Sequence, residues 1–126
     1  MAAHVAWTAV LYALLTVLRA PTAWGIAARA DGSNPWADWE QRVSANLSNQ
    51  FEWPLFFHVA CLLLMLNGGT PQSAALWLAW TFVAGRLLHS AVQVSTSGIR
   101  LRGVVFTINF LAVLAMWALL VPPFAD

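Results

Sequence analysis

Four long apolar runs, Ala2 to Leu18, Trp53 to Leu66, Ala74 to Val94 and Gly103 to Val121, leave this chain few ways to fold. A helix rises about 1.5 Å per residue and the hydrocarbon slab of a bilayer is roughly 30 Å thick, so ~20 apolar residues are needed to cross it. Each run comes close to that length once its flanks are counted. The fold class that follows is an all-α integral membrane protein, a four-transmembrane-helix bundle in one domain over residues 1–126, with helices at about 2–20, 36–67, 73–95 and 101–121. The totals agree: 60% of residues are hydrophobic, 9% are charged and eight are Trp, a poor match to a soluble globular chain.

Local punctuation sets the helix ends. The first run is expected to stop between Arg19 and Pro21. Ala28-Arg29-Ala30 resembles a processing site, but no Arg or Lys opens the chain, and a retained span is the better reading. Residues 22–41 hold Gly25, Gly32, Asn34 and Pro35 and read as a polar loop. Asn34-Pro35 then announces a helix with Asp38 and Glu40 in its first turn, where acids oppose the positive end of the helix dipole. That helix is expected to run through Glu52 to Leu66 with a bend at Pro54, whose ring removes a backbone donor and crowds the carbonyl of Gln50. Asn67 to Pro71 ends it, Ser95 to Gly98 separates the third and fourth helices, and Pro122-Pro123 closes the last.

The six basic residues are all Arg. Arg19, Arg29, Arg42, Arg100 and Arg102 fall in or beside the first and third connections, which the positive-inside tendency places in the cytoplasm with both termini outside. A net charge of +1 offers no basic patch for a phosphate backbone, so nucleic acid is not an expected partner. Cys61 is alone in an apolar run and reads as a small hydrophobe. No His, Cys and carboxylate spacing makes a metal site, and neither a nucleophile triad nor a glycine-rich phosphate loop is present. Trp36, Trp39, Trp53, Trp77 and Trp117 suit interface belts and packing.

Polar residues at bilayer depth point to a site. Arg86, His89 and Gln93 share one face of the third helix. A charge there costs ~2.5–3.5 kcal/mol on insertion scales, so it faces other helices or a wet cavity and has a partner. Glu52 is the expected partner, through two parallel hydrogen bonds to the guanidinium, with Asn49 one turn earlier. The pair is either a plain interhelical tie or a tie that also lines a ligand site. His89 is either a packing residue or a proton-transfer group, and His58 reads as a satisfied interior His. Asn46, Asn49 and Gln50 are either polar glue or ligand contacts, while Arg100 and Arg102 either snorkel to the surface or bind an anion.

The run Asn49-Gln50-Phe51-Glu52-Trp53-Pro54-Leu55-Phe56-Phe57 resembles the N-x-x-E motif, followed by Pro and aromatics, of the MAPEG family, membrane-associated proteins in eicosanoid and glutathione metabolism. Arg86-Leu87-Leu88-His89 is similar to that family's R-x-x-[HY] on the third helix, and Arg102 heads the fourth. The resemblance implies a bacterial-type member in the inner membrane, assembled as a homotrimer with glutathione as cosubstrate between protomers near the cytoplasmic side. Asn49 and Glu52 would hold its polar end, Arg86, His89 and Gln93 would line the site, and Arg100 or Arg102 would stand near the thiol. Arg42 would replace a family Arg whose usual positions are Ala45 and Ser48 here. A lipophilic small molecule or lipid would enter from the membrane.

The implied activity is a glutathione-dependent transferase or peroxidase acting on apolar electrophiles. Gln93, Phe106 and Gly103 stand where many members carry Tyr or another hydroxyl, which keeps open a non-catalytic lipid-binding or scaffold member. A third reading is a small four-helix transporter with Glu52 as proton site, favouring a dual-topology dimer.

Overall fold

The computed structural model describes residues 1–66, 73–96 and 98–121. It contains five helices and no strand among these residues: α1 (Ala2–Trp24), α2 (Ala37–Ser48), α3 (Pro54–Leu66), α4 (Ser73–Ser95) and α5 (Ile99–Ala118). With α2 and α3 taken together, four stretches are long and apolar enough to cross a membrane. The chain is therefore an all-α, multi-pass integral membrane protein, as its sequence predicts.

Two boundaries differ from expectation. α1 runs four residues past the predicted end, because Pro21 already has a helical φ and costs one backbone bond without stopping the helix. Gly25 stops it, adopting φ 68° and donating its N–H to the Pro21 carbonyl at 3.0 Å. The second span is a pair of helices with a true break at residues 49–53, where a single bent helix was predicted. Pro54 has no N–H for the Gln50 carbonyl and sits at the first position of α3, the place a helix tolerates it. Tight turns flank the break, with Gln50 N–H bonded to Leu47 O and Leu55 N–H to Glu52 O. The expected stops at Asn67–Pro71 and Pro122-Pro123 lie outside the described residues.

The 25–36 connection is tied down by side chains. Asn34 Oδ1 accepts from the Trp36 N–H at 2.8 Å, starting α2 as its Asn-Pro signal predicts, with Asp38 and Glu40 in the first turn. Its amide donates to Leu18 O and to Glu40 Oε2, and Arg19 pairs with Glu40 at 3.1 Å. Asp31 accepts from both the backbone N–H and the hydroxyl of Ser33, which holds its carboxyl below the usual carboxylate range.

The interior is layered. Leu11 and Leu15 of α1 pack on Val43 and Leu47 of α2, and Phe57, Phe82, Val113 and Met116 form a second apolar core among α3, α4 and α5. Phe57 and Phe82 stack with centroids 4.1 Å apart. Between the two cores lies a buried polar layer of His4, Asn46, Gln50, Arg86 and Ser90. α4 lies along α5 as the most extensive helix pair, brought close by Gly85, since a Cβ there would collide with the Asn109 carboxamide.

Candidate functional site

Arg86 is the largest fully buried side chain, 1% exposed, and its position follows from the break after α2. A continuous helix would have engaged the Asn49 carbonyl with the Trp53 N–H. The break frees that carbonyl, and Arg86 Nη2 donates to it at 2.9 Å. Arg86 Nε donates to Gln50 Oε1 at 3.1 Å. The predicted two-bond pairing of Arg86 with Glu52 does not form: the only ion pair among the described residues is Arg19 with Glu40, and the Glu52 carboxylate is exposed. Gln50, two residues earlier, takes the place assigned to Glu52 because a neutral carboxamide is cheaper to bury than a carboxylate. Arg86 and Glu52 still border the same hollow.

Gln50 is the residue whose importance spacing alone hides. Its nitrogen donates to Asn46 O at 3.2 Å, to Asn46 Oδ1 at 2.7 Å and to Ser90 Oγ at 3.3 Å. Its oxygen takes His4 Nε2 at 3.0 Å as well as Arg86. Ser90 Oγ also bonds Asn46 Oδ1 and accepts from Trp7 Nε1. His4, Trp7 and Ser90 thus belong to the same network, and the signal for it was Arg86 and Ser90 four apart on the otherwise apolar α4, with Asn46 and Gln50 at the same spacing across the end of α2.

A cleft of about 940 Å³ opens beside this network. Its polar wall carries Asn49, Glu52, Arg86, His89, Gln93 and Arg102; Phe51, Leu55, Phe56, Ile99 and Phe106 make the other wall. Its size is at the upper end of the ~300–1,000 Å³ usual for small-molecule sites. The Gln93 oxygen accepts from the Asn49 amide at 3.2 Å and lies 3.1 Å from His89 Nε2. In this orientation of the Gln93 carboxamide, His89 carries its proton on Nε2. Its Nδ1 is then a bare acceptor, buried and without a protein partner. A second buried atom without a partner, Trp53 Nε1, belongs to another residue of the cleft wall.

Of the sequence-predicted residues, Asn49, Glu52, Arg86, His89, Gln93 and Arg102 meet at the cleft, and Arg42 and Arg100 do not line it. Arg42 donates to the Val94 carbonyl at 3.3 Å, and Arg100 is exposed, roughly 200° around α5 from Arg102 and so on the other side of the helix. Arg42 and Val94 fasten α2 to the end of α4, so the cleft sits toward the end of the bundle where the first and third connections meet. Cys61 is half-buried against the second apolar core, and no group of metal-binding side chains occurs among the described residues.

The fold is that of a four-span membrane protein whose cleft sets an acid, a carboxamide pair, two guanidinium groups and an imidazole against an apolar wall. Comparison with family models gives the finer statement. Residues 1–121 match the MAPEG family, nearly the whole chain, and the chain belongs to that family of membrane proteins of glutathione and eicosanoid metabolism. No curated protein and no solved structure matches it.

Proposed function

We propose that this protein is a glutathione-dependent transferase or peroxidase that acts on apolar electrophiles drawn from the membrane. The observation that carries this reading is the two-sided cleft, charged and amide-lined on one wall, aromatic and aliphatic on the other. Glutathione is acidic and zwitterionic, and the polar wall supplies what it needs: Glu52 for the amino group, Arg86 and Asn49 for carboxylate and amide groups, and His89 Nδ1 as an acceptor. Arg102 stands over the thiol. A free thiol has a pKa of about 8.5, and a neighbouring cation favours the thiolate, the nucleophilic form. The thiolate sulfur then attacks a substrate held against Phe51, Leu55 and Phe106. At an electrophilic carbon it forms the thioether as the leaving group departs; at a hydroperoxide it breaks the O–O bond to give a sulfenic acid and the alcohol, a second glutathione then forming the disulfide and releasing water.

The cleft is open on one side of the protomer, and we infer that a neighbouring copy closes it in a homotrimer. The same reading puts the cleft toward the cytoplasm, where glutathione is dissolved, with both termini outside and the first and third connections inside, in a bacterial inner membrane.

Adding glutathione to purified wild-type protein is expected to raise the ultraviolet absorbance of the thiolate. Arg102→Ala is expected to abolish that signal while preserving assembly. A flat trace in the wild type would remove the enzyme reading. Orientation is checked by labelling single cysteines in a Cys61→Ser background: Asp38→Cys reacts from the cytoplasmic side and Ser73→Cys from the outside.

One observation favours a second reading. No Ser, Thr or Tyr hydroxyl lines the cleft among the described residues, and Phe106 presents a bare ring to it. A non-catalytic lipid-binding or scaffold member would need no such hydroxyl. It predicts lipid in the cleft of the purified protein and no turnover of a generic aromatic electrophile, so steady conjugation would exclude it.

A further inference from the structure

A second hollow, about 340 Å³, lies between α1 and α3, on the other side of Phe51 and Leu55 from the cleft. Its polar end is formed by His4 and His58, which belong to neither the proposed glutathione contacts nor Arg102. His4 Nδ1 and His58 Nε2 are 3.1 Å apart.

The protons in this pair can be assigned by chemistry. Arg86 Nε is always a donor, and the Asn46 carbonyl is always an acceptor, so the Gln50 oxygen faces Arg86 and its nitrogen faces Asn46. His4 Nε2, 3.0 Å from that oxygen, must therefore donate. In a neutral ring this leaves His4 Nδ1 as an acceptor, and His58 Nε2 must donate to it. His58 Nδ1 is then a proton acceptor with no partner among the described residues.

The rest of the hollow is apolar and elongated. His4, Thr8 and Tyr12 follow one face of α1, and eight residues at 1.5 Å each set the His4 and Tyr12 backbones about 12 Å apart. Val5, Ala9 and Leu55 line the walls, and Phe51 meets Tyr12 edge-on at the far end, with centroids 6.1 Å apart. No Arg or Lys lines it among the described residues, which leaves nothing to hold a phosphate head group.

We propose that this hollow is a separate binding site for a single-chain amphiphile with a carboxylic acid head, such as a long-chain fatty acid. The acid O–H meets His58 Nδ1 and the chain lies along α1 toward Tyr12 and Phe51. A carboxylic acid suits this place because it brings its own proton. Whether that proton rests on the acid oxygen or on His58 Nδ1, ligand and imidazole together carry no net charge into the lipid-facing body, where an uncompensated charge is costly. The inference is independent of the glutathione reading and survives or fails without it.

Radiolabelled palmitic acid binding to the full-length protein in nanodiscs tests it, with hexadecanol and methyl palmitate as competitors. Palmitic acid is expected to bind saturably; hexadecanol, whose O–H can also donate to His58 Nδ1 but is a far weaker acid, is expected to compete less well, and methyl palmitate, which has no O–H, not to displace it. His58→Phe keeps an aromatic ring but removes the acceptor, and is expected to weaken binding about tenfold, as loss of a hydrogen bond to a charged or proton-sharing group does. Ala9→Trp, at an exposed position on the wall, is expected to abolish binding and to leave folding intact. Equal binding by wild type and both variants, or displacement by methyl palmitate as effective as by palmitic acid, would overturn the proposal.

Discussion

Arg86 shows how a single residue can be located correctly and partnered wrongly. A guanidinium in an apolar run demanded a partner on another helix, and an acid three residues from Asn49 was the chemically natural choice. Helical geometry would have served that choice, but the break at residues 49–53 turns Glu52 outward and offers the Asn49 carbonyl and the Gln50 oxygen instead. Sequence could not rank Gln50 over Glu52, because both lie within reach of a bend at Pro54 and only the broken backbone separates them. The two partnerships predict different mutants. Arg86→Ala leaves the Asn49 carbonyl without a donor, at ~1–3 kcal/mol, and the Gln50 oxygen with His4 alone, so thermal unfolding in detergent should show a loss of about 2 kcal/mol or more. Glu52→Gln should change stability by less than ~0.5 kcal/mol, as expected for an exposed side chain, and should weaken glutathione binding at least tenfold. A large stability loss in Glu52→Gln would mean that the carboxylate, and not the carboxamide, anchors Arg86.

At the scale of the element, α4 and α5 depend on a contact that no motif announces. Helices in lipid gain no hydrophobic drive from meeting one another, so close backbone approach at small residues matters more than in water. Gly85 provides that approach, and the Asn109 carboxamide fills the space a Cβ would need, buried and with neither polar atom bonded to protein. Asn109 was visible in the sequence as the one strong polar interruption of the last run, but its facing residue was not, because glycine leaves no signature of what it admits. Gly85→Ala is expected to destabilise by ~1–3 kcal/mol through overpacking. Asn109→Ala alone should be within about 1 kcal/mol of the wild type, since it removes an unpaired buried amide. The double variant should recover most of the Gly85→Ala loss, and a double-mutant cycle on detergent unfolding would show the coupling. Additive losses would mean the two residues are not opposed across the helix pair.

The four spans were legible throughout the whole molecule because hydropathy and length are properties of the chain alone, whereas the assembly is not. What a protomer does show is a mismatch between its surfaces. Leu55, Leu63, Trp77 and Leu111 are exposed and suit lipid, but the cleft places Glu52, Arg102 and the unpaired His89 nitrogen beside an opening in the same body. Exposure of such groups to hydrocarbon is costly, so a second copy is expected to cover the opening and supply a further wall. Any closed ring of copies related by rotation gives every cleft the same neighbour and leaves no unpaired face, and the ring proposed here is the trimer that the family resemblance implies. Native mass spectrometry of detergent-released protein should therefore show a trimer, with glutathione adding mass in steps up to one per protomer. A dual-topology dimer would favour the transporter reading with Glu52 as proton site. A monomer that still binds glutathione would mean that one protomer's residues suffice, and that the polar wall meets the lipid head groups rather than another subunit.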